Sequence, residues 1–135
     1  MRIVIDTNVL LVSISSRSPY HWIFQGIITK KFDLIVSKEI LSEYSEIIQK
    51  HMGTTVSENI LGLLENLENL VQTIPSFRFN LISADPDDNK FVDCAIAANA
   101  DFILTEDKHF EELKEIDFPK VQIKSISQFE SILHG

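Results

Sequence analysis

Four acids stand at positions from which carboxylates could act together. Asp6 directly follows the apolar run Ile3-Val4-Ile5, and Asp107 lies two residues past Thr105 at the end of Phe102-Ile103-Leu104-Thr105. Ligand sites in open α/β sheets gather beyond the carboxyl ends of strands, and chain order puts both acids there. Capping is the competing role: Asp6 for the helix after it, Asp107 for the one reaching Phe110 and Leu113. A third candidate comes from the helix after Ser37, where Ile40, Leu41, Tyr44, Ile47 and Ile48 share a face. Stepping about 100° per residue from Ile40, Glu43 falls near −60°, at the border of that stripe; Glu39 and Glu46 fall near −100° and −120°. Glu43 is therefore the acid of this helix best placed to lean over the sheet, although a carboxylate bordering a core face is commonly just solvated. Farther on, Asp88 lines up with Phe91, Val92 and Ala95 at i+3, i+4 and i+7, on the face that packs against the sheet. Asp93 lies about 200° from Phe91, away from that stripe. Asp85 reads as the N-cap before Pro86, with Asp87 beside it in the first turn. Asp88 is the choice from this group, with Asp87 and Asp93 as reserves.

Four carboxylates meeting on one rim cannot all stay ionised without a counter-charge. Two unit charges about 4 Å apart repel by roughly 4 kcal/mol at an effective dielectric of 20. Either some protonate or a hard cation sits among them. Oxygen ligands without a Cys or His cluster favour Mg²⁺ or Mn²⁺ over zinc. Such an ion binds phosphate oxygens, activates water and neutralises charge on a displaced phosphate oxygen.

The elements that must position these acids alternate between strand and helix. Ile3–Ile5, Leu34–Val36, Val71–Ile74, Phe102–Thr105 and Val121–Ile123 read as strands. Helices are expected from Val9, from Ser18-Pro19, from Ser37 to about Lys50, from Ser57 to Leu70, from Asp85-Pro86 to about Ala100, around Phe110 and Leu113, and from Ser127 to Leu133. His51-Met52-Gly53-Thr54 is a stop signal. The stretch Pro75–Asp85 gives no clear pattern. Alternation of this kind predicts a parallel sheet covered on both faces.

Composition bounds the function. The 135 residues suit one domain, 1–135, and 44% hydrophobic with 24% charged residues is a globular balance. Twelve Lys and Arg against 20 Asp and Glu give a net charge of −8, which excludes a general electrostatic grip on nucleic acid. A phosphate-bearing substrate would need a local basic rim or bridging metal ions. One cysteine, Cys94, excludes a disulfide framework and fits a reducing compartment. No run is long enough to span a bilayer and no signal-peptide core follows Met1-Arg2, so the expected location is cytoplasmic, with no membrane partner.

This ordered set resembles PIN-domain proteins of the kind found among VapC-type toxins of toxin–antitoxin pairs. The resemblance rests on Val4-Ile5-Asp6-Thr7-Asn8-Val9-Leu10, on Glu43, on Asp85-Pro86-Asp87-Asp88-Asn89-Lys90-Phe91, on Ala95-Ile96-Ala97-Ala98-Asn99-Ala100, and on Leu104-Thr105-Glu106-Asp107-Lys108-His109-Phe110. It implies a three-layer α/β/α fold with about five parallel strands and a metal-dependent ribonuclease. Its catalytic and metal-holding acids would match Asp6, Glu43, Asp88 and Asp107, supported by Asn8 and Thr105, with Mg²⁺ or Mn²⁺ as cofactor. Counting back from Thr105 also selects Asp88 over Asp93. The resemblance further implies an RNA substrate, an antitoxin protein and a homodimer. The Asp85-Pro86-Asp87-Asp88 variant resembles a branch in which the toxin role is seldom demonstrated, so nuclease chemistry is the firmer implication.

Of Arg17, Lys30, Lys31, Lys38, Lys90 and Lys108, the substrate-contacting candidates are Lys90 and Lys108, being close in sequence to Asp88 and Asp107. Tyr20, His21 and Trp22 could stack a base, with Trp22 read as core. Histidines 21, 51, 109 and 134 lack metal-ligand spacing. A haloacid-dehalogenase-type phosphatase would need an acid two residues after Asp6, where Asn8 stands. A receiver domain would need an acceptor acid at the end of Leu34-Ile35-Val36, which is followed by Ser37. A non-catalytic RNA- or protein-binding module on the same scaffold is the alternative from another class.

Overall fold

The β-branched run at the start of the chain forms β1 (Arg2–Ile5), whose Ile3, Val4 and Ile5 are fully buried, as the central strand of a sheet covered on both faces must be. A computed structural model describes every residue from Met1 to Gly135. After β1 come α1 (Thr7–Ser13), α2 (His21–Ile28), β2 (Asp33–Val36), α3 (Lys38–Met52), α4 (Thr54–Glu65) and β3 (Leu70–Gln72). A 3₁₀ turn (Pro86–Asp88) leads into α5 (Asn89–Ala97) and β4 (Phe102–Leu104). A 3₁₀ segment (Lys108–Glu115), β5 (Ile123–Lys124) and α6 (Ile126–His134) complete the chain.

All five strands pair in parallel, in the order β3-β2-β1-β4-β5, the expected three-layer α/β/α arrangement. Two strands, β2 and β3, are laid down outward from β1 on one side before the chain crosses to β4 on the other. The order therefore reverses between β1 and β4, where such sheets open a crevice beyond their carboxyl ends. Ile5 pairs with Leu104 there, and the Asp6 N–H donates to the Leu104 carbonyl at 3.0 Å. One apolar core joins the layers. Phe129 of α6 meets Phe32, Phe102 and Trp22, while Phe91 of α5 meets Phe110.

Several boundaries differ from the sequence expectation, for local reasons. Ser18-Pro19 forms a turn in which the Ser18 hydroxyl accepts from Tyr20 N–H, so α2 starts only at His21. The helix expected from Ser57 begins at Thr54, directly after Gly53, whose φ of 95° suits a residue without a Cβ. It stops at Glu65, because Leu70 leaves the helical pattern to pair with Leu34 in the sheet. The helix expected to reach Ala100 ends at Ala97. Asn99 there takes a left-handed φ of 52°, its N–H bonds to the Ile96 carbonyl, and the Ala100 N–H bonds to the Ala95 carbonyl. The last strand lies at Ile123–Lys124 instead of Val121–Ile123, in register with Ile103 and Leu104.

The Pro75–Asp85 stretch carries no regular structure, yet its end is fixed. The Asn89 amide accepts from Ile82 N–H at 2.8 Å and donates to the Ile82 carbonyl at 2.9 Å. Glu112 accepts from the N–H groups of Ser83 and Ala84, at 2.9 and 3.0 Å, and from the Ser83 hydroxyl at 2.6 Å. These bonds hold the Glu112 carboxyl below its ordinary range, the Ser83 hydroxyl contributing most. The clamp fixes where the chain delivers Asp85 and Asp88.

Candidate active site

At the crevice between β1 and β4, Asp6 occupies the N-cap position of α1 but makes no side-chain capping bond. Its Oδ2 instead accepts from the Thr105 hydroxyl at 2.8 Å, and that hydroxyl oxygen accepts from Asp107 N–H at 3.0 Å. One threonine thus ties the acids at the ends of two adjacent strands. Asp107 does cap, its Oδ1 accepting from His109 N–H at 2.9 Å. Asp6 is 5% exposed. Burial pushes its carboxyl up to about 6, against the Thr105 hydrogen bond and with help from the negative charges of Asp107 and Glu43.

Asp88 comes to the same place from the start of α5. Burial raises its carboxyl to about 6, reinforced by Asp85, Asp107 and Asp6 and opposed by the neighbouring His109 imidazole. His109 Nδ1 lies 3.4 Å from Asp88 Oδ2, 3.4 Å from Asp107 Oδ1 and 4.0 Å from Asp85 Oδ2. No aligned hydrogen bond results, and both Asp88 Oδ2 and His109 Nδ1 are buried atoms without a partner. Ligand atoms of Asp85, Asp88 and His109 all lie within 4.8 Å of one another. An orphaned carboxylate oxygen among further carboxylates, with no Lys or Arg paired to any of them, is a donor set that fits a hard divalent cation.

Glu43 sits differently. Its Oε2 accepts from the Thr7 hydroxyl and its Oε1 is 2.5 Å from Lys90 Nζ, which also reaches Asp87 Oδ1 at 3.1 Å. Burial works against the Lys90 ammonium, but the bonds to Glu43 and Asp87 outweigh it and raise its pKa above the ordinary lysine value. A cleft of about 860 Å³ opens on this side, lined by Glu43, Lys90, Asp87, Lys38 and Thr73 among others. On the other side of Asp6 a second concavity, of about 550 Å³, is lined by Asp6, Asn8, Val9, Val12, Tyr20, Glu106, Asp107 and Ile126.

The structure thus brings Asp6, Asp88 and Asp107 together and places Glu43 beside them in an ion pair. Asn8 is exposed on the wall of the second concavity without a hydrogen bond to either neighbouring acid. Of the reserve acids, Asp87 holds Lys90. Asp93 is buried away from the cluster, accepting from Phe79 N–H at 3.1 Å. Burial raises the Asp93 carboxyl, against that hydrogen bond. Lys90, expected to touch substrate, is engaged by two acids and only 14% exposed. Lys108 is exposed in a hollow that also holds Asp107, Lys114 and Lys124. Among the aromatic candidates, Trp22 packs on Phe129, His21 Nδ1 bonds the Ser13 carbonyl, and Tyr20 stays 40% exposed. Sequence reasoning passed over Asp85, His109 and Lys124. Asp85 was hidden by its capping role, which uses only Oδ1, toward Asp87 N–H. His109, set aside because the histidines show no metal-ligand spacing among themselves, stands two residues past Asp107, and that nearness to an acid was the available signal.

A family model described as PIN domain matches residues 2–109. Among solved structures, the chain is similar to VapBC2 from Rickettsia felis, determined bound to a DNA fragment from the promoter. The TM-score is 0.63 at 18% identity, covering 93% of this chain and 98% of that one. VapBC-1 from nontypeable Haemophilus influenzae matches with a TM-score of 0.60 at 15% identity, covering 94% and 99%. At such identities the likeness is one of fold. No curated protein matches the sequence.

Proposed function

Given that the chain belongs to the PIN-domain family, we propose that it is a divalent-metal-dependent ribonuclease, the toxin of a toxin–antitoxin pair, cutting RNA at the β1–β4 crevice. The observation that carries this reading is the buried Asp88 Oδ2, without a hydrogen-bond partner, facing a group of acids that have no Lys or Arg among them and only the His109 imidazole nearby. Asp6, Asp88 and Asp107 are the residues that would hold Mg²⁺ or Mn²⁺, with Asp85 and His109 at their margin. The ion would supply charge neutralisation at the phosphate and a water acidic enough to react near neutral pH.

The chain's own groups supply position. Thr105 fixes Asp6 and the backbone of Asp107 in one register. Asp107 has Oδ1 bound to His109 N–H, which leaves Oδ2 without a protein donor. Lys108 and Lys124, beside Asp107, are placed to meet phosphates of an RNA backbone, a local basic rim on an acidic protein. Tyr20, on the wall shared with Asp6 and Asp107, is the aromatic available to stack on an adjoining base. The similarity to VapBC structures supports an antitoxin partner, and a homodimer is the proposed assembly.

The test is cleavage of mixed single-stranded and structured RNAs by the pure protein with Mn²⁺, beside Asp6→Asn. Cleavage by the parent alone, abolished by chelator, is expected. Equal cleavage by both, or none by either across many substrates, overturns the reading. RNA or protein binding that survives Asp6→Asn and chelator would instead identify a non-catalytic module.

A further inference from the structure

Two acid sets meet at this rim, and one of them already has a cation. The junction of the 3₁₀ turn with α5 explains how, since Asp88 closes the 3₁₀ turn and Lys90 is the second residue of α5. Residues two apart on a helix point to different sides, so Asp88 and Lys90 diverge from one turn. Asp88 goes to the crevice with Asp6 and Asp107. Lys90 goes to the Glu43 side, where its ammonium sits 2.5 Å from Glu43 Oε1 and 3.1 Å from Asp87 Oδ1 with 14% of its side chain exposed. The second Glu43 oxygen is taken by the Thr7 hydroxyl, so the two strongest polar neighbours of this carboxylate are protein groups. Asp88 has no such supply, and its Oδ2 is orphaned.

Resting on the nuclease reading, we propose that Lys90 is the resident cation of this rim. Its ammonium serves Glu43 and Asp87 where a second divalent ion would otherwise be needed, so the site takes one divalent ion, on the Asp6–Asp88–Asp107 side. Two ions can share a carboxylate cluster only if acids remain free to separate and bridge them. Here Glu43 is committed to a fixed positive charge that would repel a dication placed beside it. Pulling Lys90 away would also leave a largely buried ammonium without partners. Lys90 is on this account a positioning residue: it holds Glu43 and sets the ion count without touching the reacting atoms.

The experiment counts Mn²⁺ bound per chain, by calorimetric titration and by electron paramagnetic resonance of free Mn²⁺, for the full chain and its variants. The parent and Lys90→Arg should bind one ion. Lys90→Met, confirmed folded by circular dichroism, should bind a second. Glu43→Gln, which leaves Lys90 in place, should keep one ion with affinity within about threefold of the parent, whereas loss of a true ligand or its close support costs about tenfold or more. Two ions on the parent, one on a folded Lys90→Met, or a tenfold loss in Glu43→Gln each overturns the proposal. No ion on any folded protein overturns the nuclease reading beneath it, a result distinct from the other three.

Discussion

Glu43 and Asp88 are acids on helices that lean over the same end of the sheet, yet one is neutralised by the protein and the other is not. Glu43 has a lysine and a threonine on its two oxygens. Asp88 faces Asp6, Asp85 and Asp107 with only a poorly aligned imidazole nearby. The difference teaches how to read a crowd of carboxylates. Their number says little, because an acid with its own ammonium is a structural strut. The ones left without a counter-charge at a position fixed by hydrogen bonds are those that call for something from solution.

The sharpest way to break this comparison is to remove charge on the uncompensated side. Asp6→Asn or Asp88→Asn should lower RNA cleavage by about a hundredfold or more, since the ion's share of transition-state stabilisation is several kcal/mol. The same substitutions should leave the melting temperature of the metal-free protein unchanged or higher, because each removes repulsion among buried like charges. Parallel loss of activity and stability would mean that Asp6 and Asp88 are ordinary structural acids.

Acidity probes the same side without mutation. The Asp6 and Asp88 carboxyls are raised to about 6 in the folded protein from an ordinary value of 3.8. As pH rises through that window the unfolded chain releases its protons first, which favours unfolding. Their contribution to stability is thus fully present below about pH 4 and lost as pH rises through 6. For deeply buried Asp6 this amounts to about 3 kcal/mol at most. Denaturant unfolding of metal-free protein should show the parent gaining stability over Asp6→Asn as pH falls from 7.5 to 5. Mn²⁺ should stabilise at pH 7.5 and much less at pH 5, where protons occupy the carboxylates. A parent–variant difference independent of pH would refute the charge crowding.

On the compensated side the expectation inverts. Lys90→Met should cost about 2 kcal/mol in chemical denaturation, reduced from a fully buried pair because Glu43 and Lys90 keep some contact with water. Glu43→Gln,Lys90→Met together should recover part of that loss, because neither charge is then stranded. An additive double variant would show that the two side chains are not a coupled pair.

How much of this was legible in the sequence follows from which interactions are local. The strand at Ile3–Ile5, the stop at Gly53 and the Ser37 cap, whose hydroxyl accepts from Ile40 N–H, are set by neighbours a few residues away. The parallel sheet followed from alternation, and the crevice from Asp6 and Thr105–Asp107 lying at strand ends. The Glu43–Lys90 pair joins residues 47 apart and depends on how α3 and α5 approach each other, which no periodicity encodes. The clamp on Ile82–Ala84 uses Asn89 and Glu112, and it pins the end of the one stretch whose pattern was unreadable, because its bonds are to side chains and not to a ladder. Asp93 follows the same logic: helical arithmetic turned it away from the sheet, but only the folded loop supplies the Phe79 N–H that it accepts.

The smallest effect tests the scaffold between the two sides. Tyr44, next to Glu43 on α3, is fully buried and donates its hydroxyl to the Ile5 carbonyl at 2.5 Å, one residue before Asp6. It therefore ties the helix bearing the compensated acid to the strand bearing the uncompensated one. Tyr44→Phe keeps the ring and its packing and removes only this bond, which is worth about 1 kcal/mol. For a chain of this size that is a fall of about 3–5 °C in melting temperature. Cleavage should drop by only about twofold, because Thr105 still holds Asp6 from the other strand. If Tyr44→Phe instead lowers activity as far as Asp6→Asn does, α3 sets the position of the reacting carboxylates, and the division between a strut side and an ion side fails.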